Sequence, residues 1–124
     1  MNKININYQK YSFSLFIKYV LLSVSRMVYT IDEIRKRIVP IVIKYGIASI
    51  ALFGSYARGE ATDESDLDFV MDKGDLKGLR YVSLIHDLER EFECHVDVVS
   101  KDSSNKEFLL SIEKEEVLLY ERKG

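Results

Sequence analysis

Asp66 and Asp68 are separated by one residue in the segment Ser65-Asp66-Leu67-Asp68-Phe69. Side chains alternate across a strand, so both carboxylates point to one face and Leu67 and Phe69 to the other. Two carboxylates about 7 Å apart along a strand repel each other unless a cation lies between them. Hard divalent ions such as Mg²⁺ take such oxygen ligands and complete their shell with water and phosphate oxygens. In a chain with 20 acidic residues, an Asp-x-Asp pair alone is more often a solvated strand end.

The neighbouring residues strengthen the metal reading. Gly54-Ser55 ends an apolar run, and ten residues separate it from Asp66. A glycine there lets the backbone approach a phosphate closely, while the serine hydroxyl and nearby N–H groups can bind its oxygens. Arg58 follows within reach and can neutralise triphosphate charge. Asp97 lies in His95-Val96-Asp97-Val98-Val99, and a carboxylate between valines is not where charge usually goes. If that strand lies beside the one carrying Asp68, Asp97 can ligate a metal or accept a proton from an attacking hydroxyl. Each residue alone has a plain alternative: a turn, a surface cation, an edge-strand aspartate. Together, in sequence on adjacent elements, they are harder to dismiss.

The elements that must position these groups follow from periodicity and punctuation. Thr30 with Glu33 forms a capping-box pattern, and Ile31, Ile34, Ile38, Ile41, Val42 and Tyr45 continue it as an apolar helical stripe. Pro40 should kink this helix, and Gly46 stands where a left-handed C-terminal cap is expected. Residues 48–53 read as a buried strand breaking into a loop at Gly54-Ser55, and 67–71 as a second strand. Leu76, Leu79, Val82, Ile85, Leu88 and Phe92 predict a second helix of about 17 residues. Residues 95–99 predict a third strand, and Asn105 caps a last helix with Phe108, Leu109 and Ile112 on its buried face. Residues 117–120 close the chain as a strand. The order predicts an α/β domain, a small mixed sheet covered by helices.

Composition bounds the partners. The 124 residues suffice for one domain, and 47% hydrophobic with 31% charged residues is an ordinary globular balance. A formal net charge of -2 argues against stable binding to long nucleic acid, which needs clustered Lys and Arg. The single cysteine, Cys94, excludes an internal disulfide and suits a reducing, cytoplasmic setting. With His95 it offers too few ligands for zinc. The apolar stretch 13–24 is interrupted by Lys18 and is too short to span a membrane. The expectation is an N-terminal extension over 1–28, preceding a catalytic domain over 29–124. The extension reads either as a signal peptide, with Lys3 and Lys10 as its basic region and Ser23 and Ser25 at a cleavage site, or, in preference, as residues upstream of a true start at Met27. His86 and the run Glu113-Lys114-Glu115-Glu116 read as solvated surface.

The stretch Leu52-Phe53-Gly54-Ser55-Tyr56-Ala57-Arg58-Gly59, followed by Ser65-Asp66-Leu67-Asp68-Phe69, resembles the signature of the DNA polymerase beta-like nucleotidyltransferase superfamily, closest to its minimal nucleotidyltransferase branch. The resemblance spans about residues 30–121, with Asp97 where the third family carboxylate is expected. It implies ATP as donor, with phosphates on Gly54, Ser55, Arg58 and Ser65, and two Mg²⁺ ions held by Asp66, Asp68 and Asp97 as the catalytic residues. It further implies an antitoxin that transfers AMP to a tyrosine of a cognate HEPN-domain ribonuclease toxin, in a hetero-oligomer. Two other expectations stand beside this one: adenylylation of a small molecule such as an aminoglycoside, and toxin neutralisation by contact alone.

Overall fold

The computed structural model describes residues 28–123; the expected extension and its start site lie outside the described residues. Helix α1 (Ile31–Lys44) opens on Thr30, whose Oγ1 accepts the Glu33 N–H at 3.1 Å while Glu33 Oε1 accepts the Thr30 N–H at 3.2 Å. The helix runs uninterrupted through Pro40, which lies on its exposed side. It stops at Gly46, whose φ of 69° is open to glycine and costly to other residues.

Strand β1 (Ser49–Phe53) follows, then a five-residue helix α2 (Gly54–Arg58) where the sequence predicts only a loop. Strand β2 (Leu67–Asp72), helix α3 (Arg80–Phe92), strand β3 (Val96–Ser100), helix α4 (Lys106–Glu113) and strand β4 (Val117–Glu121) complete the order. The sheet runs β3-β2-β1-β4, with β1 antiparallel to β2 and to β4, and β3 parallel to β2. The parallel pair requires a crossover, and α3 supplies it.

The two faces of the sheet are covered differently. Ile34, Ile38 and Val42 of α1 and Leu84, Leu88 and Phe92 of α3 pack against Leu52, Leu67, Phe69 and Met71. On the other face, Ile112, Phe108 and Leu109 of α4 pack against Ala51, Phe53, Val70 and Val99. This second cluster is small, so part of that face stays open.

Helix α3 departs from expectation. It has 13 residues, not about 17, and its buried row is Leu84, Leu88 and Phe92. Leu76 is buried from the preceding loop, whereas Leu79 is 86% exposed and Val82 48%. Gly74 and Gly78 adopt φ of 54° and 60°, so the helical repeat cannot extend back through them. The apolar pattern merged a loop residue with a helix.

Candidate active site

The β-strand register brings the carboxylates together. Phe53 of β1 pairs with Asp68 of β2, and Asp68 with Asp97 of β3, so the three form one row across the sheet. The next row on the same face is Ala51, Val70 and Val99, which α4 covers. Asp68 and Asp97 therefore lie on the sparsely covered face, at its open end. Leu67 and Phe69 are fully buried on the opposite face, as alternation requires.

Asp66 sits just before β2 rather than on it, and is exposed. One ligand atom each from Asp66, His95 and Asp97 lies within 4.8 Å of the others. Asp68 joins this group electrostatically: burial, then the charges of Asp97 and Asp66, push its carboxyl up to about 6. A cation between these groups would reverse that shift, because it favours the ionised form of each carboxylate. The donor set is oxygen-rich and partly open to solvent, which fits a divalent ion such as Mg²⁺.

His95 is a feature that the sequence reading set aside. Its Nε2 lies 3.0 Å from Asp97 Oδ1, and its Nδ1 lies 3.2 Å from Glu89 Oε2. Carboxylates at both ring nitrogens favour the imidazolium, and the hydrogen bond to Asp97 raises the His95 pKa. The signal was present, since His95 and Asp97 are two apart on an extended segment and share a face. Cys94 is half-buried and its thiol is pushed up by burial, as a packed rather than reactive cysteine would be.

The turn at Gly54 touches the carboxylates directly. Gly54 has φ of 74°, and a Cβ there would press into Asp68 Oδ2. Glycine is needed for both reasons, backbone conformation and close approach. Ser55 lies half-buried on the first turn of α2. Ser65 serves the loop, its Oγ accepting the Thr62 N–H at 2.8 Å.

Arg58 is paired already. Its Nε donates to Glu60 Oε1 at 2.8 Å and its Nη1 to Glu115 Oε2 at 3.0 Å. Glu115 Oε1 also accepts the Gly54 N–H at 3.1 Å. The sequence pattern predicts a solvated helix end for Glu115; in the fold its carboxylate reaches the Gly54-Ser55 turn. Arg58, and then the Gly54 N–H, hold its pKa below the ordinary glutamate range. Nothing local could reveal this, because 57 residues separate Glu115 from Arg58.

A mixed sheet that aligns aspartates of two parallel strands beside a Gly-Ser turn defines a nucleotidyltransferase of the polymerase beta type. The chain belongs to that family: residues 36–124 match Polymerase beta, Nucleotidyltransferase. It is 39% identical over 74 residues to a Methanocaldococcus jannaschii protein provisionally named protein adenylyltransferase MJ0435, covering 59% of this chain and 80% of that one. It is 38% identical over 61 residues to protein adenylyltransferase MntA of Thermococcus cleftensis, covering 48% of this chain and 62% of that one. Among solved structures, a toxin–antitoxin crystal structure with AMP-PNP superposes with a TM-score of 0.63 at 22% identity, over 72% of this chain and 74% of that one. A protein provisionally named minimal nucleotidyltransferase superposes with a TM-score of 0.62 at 25% identity, over 72% of this chain and 95% of that one. The fold implies a nucleotide substrate and a divalent metal. Among the described residues, no helix is long and apolar enough to cross a membrane.

Proposed function

We propose that this nucleotidyltransferase moves AMP from ATP to a hydroxyl of a partner protein, a tyrosine of a cognate HEPN-domain toxin, and so acts as its antitoxin. The observation that carries the reading is the row Asp68–Asp97, with Asp66 beside it, abutting the Gly54-Ser55 turn. Support for a protein acceptor comes from relatives named protein adenylyltransferases, and for a toxin partner from the toxin–antitoxin structure that the fold resembles.

Asp66, Asp68 and Asp97 would hold Mg²⁺, which when bound supplies charge neutralisation for the attacking and leaving oxygens. Gly54, Ser55 and Arg58 seat the donor phosphates, so that the α-phosphate faces Asp97. In this reading Asp97 accepts the proton of the incoming hydroxyl, and the contact with His95 orients its carboxylate. Bond formation at the α-phosphate expels pyrophosphate toward Arg58. Ser65 acts through the loop, by fixing the chain just ahead of Asp66.

The test mixes the protein with Mg²⁺, labelled ATP and the product of the adjacent gene, and reads the partner by mass spectrometry. AMP-sized additions to a partner tyrosine, lost with Asp66→Asn, are the expected result. A tight complex without transfer would instead identify neutralisation by contact, and adenylylation of a drug without any partner would identify a small-molecule enzyme.

A further inference from the structure

Glu115 stands in the turn between α4 and β4, its backbone N–H donating to Ile112 O at 3.0 Å. Its side chain is 26% exposed and leans across the sheet edge onto α2. There its two oxygens take the Gly54 N–H at 3.1 Å and Arg58 Nη1 at 3.3 and 3.0 Å. A backbone N–H and a guanidinium N–H converging on one anion are the donors that a phosphate oxygen would use.

We propose that Glu115 is an internal occupant of the donor's phosphate seat, which the triphosphate must displace in order to bind. The inference deepens the transferase reading and rests on it. Charge counting motivates it. At the turn itself Arg58 brings one positive charge against the two negative ones of Glu60 and Glu115, so a phosphate gains little from Arg58 until a carboxylate leaves. Glu60 occupies only the guanidinium and is 65% exposed. Glu115 alone blocks the backbone donor as well.

A bracing role for Glu115 fits less well. The turn of α2 closes on its own bonds, Gly59 N–H to Tyr56 O at 3.3 Å and Glu60 N–H to Ser55 O at 2.9 Å. Tyr56 anchors it in the main core. The seat is thus formed by elements other than Glu115, which makes the carboxylate exchangeable.

The test measures the affinity of the full chain for a non-hydrolysable ATP analogue with Mg²⁺ by calorimetry. Glu115→Gln keeps a carbonyl oxygen for the Gly54 N–H but leaves Arg58 less neutralised. It should tighten binding roughly two- to fivefold, the scale of one partly exposed ion pair. Glu113→Gln, the same charge change on the exposed end of α4, is the control and should not move it. In the wild type, the Gly54 amide resonance should shift when the analogue binds. Unchanged or weaker binding by Glu115→Gln, with the wild type still binding, would overturn the exchange and leave the transferase reading intact. Failure of both proteins to bind the analogue would overturn the two together.

Discussion

Asp68 of β2 and Asp97 of β3 are in-register partners on adjacent parallel strands, side by side on the open face of the sheet. Two carboxylates in that relationship burden the metal-free fold and prepare it for a cation. Burial is the larger part of the burden, and the neighbouring charges add to it.

The first prediction follows from the sign of that shift. A carboxyl raised from 3.8 to about 6 on folding costs nothing while protonated in both states. Its penalty develops as pH rises through that window and is complete above about 6. Asp68→Asn should therefore melt with the wild type at about pH 3 in chelator and a few degrees above it at about pH 8. Mg²⁺ should then raise the wild-type melting temperature and not that of the variant. Equal melting at both pH values would refute the account.

Gly54 and Gly59 separate two costs of replacing glycine. Both have positive φ, 74° and 73°, but only at Gly54 does a new Cβ meet Asp68; at Gly59 it meets nothing within 4 Å. Gly59→Ala should cost about 1–2 kcal/mol from backbone conformation alone. Gly54→Ala should cost clearly more and abolish nucleotide transfer. Denaturant titration of both variants, with the transfer assay, checks this.

The corrected face of α3 predicts opposite outcomes for two leucines. Leu84 is fully buried, so Leu84→Ala should cost about 2–5 kcal/mol. Leu79 is 86% exposed, and Leu79→Ser should stay within about 0.5 kcal/mol. A helix extended back to Leu76 would predict a large loss at Leu79, and thermal melts decide between them.

At the start of α1, Thr30→Ala removes the acceptor for the Glu33 N–H and should cost about 1 kcal/mol. Thr30→Ser should restore most of it. Comparable stability of Thr30→Ala and wild type would mean that α1 is held by its packed face alone.

What the sequence alone determined is what local chemistry carries. Thr30 with Glu33, the Gly46 stop, the alternation of Leu67-Asp68-Phe69 and the valines around Asp97 act over a few residues. Element types, apart from the short α2, and candidate carboxylates were therefore legible, with ends correct to a residue or two for the strands. Helix α3 was misjudged because backbone conformation at Gly74 and Gly78, not the apolar pattern, sets where it begins. Tertiary structure decided two further matters. It chose the parallel register that sets Asp97 beside Asp68, and it carried Glu115 onto Gly54 and Arg58. The physical reason is that strand pairing and ion pairing between distant residues depend on how the chain is packed, and sequence spacing holds no record of it.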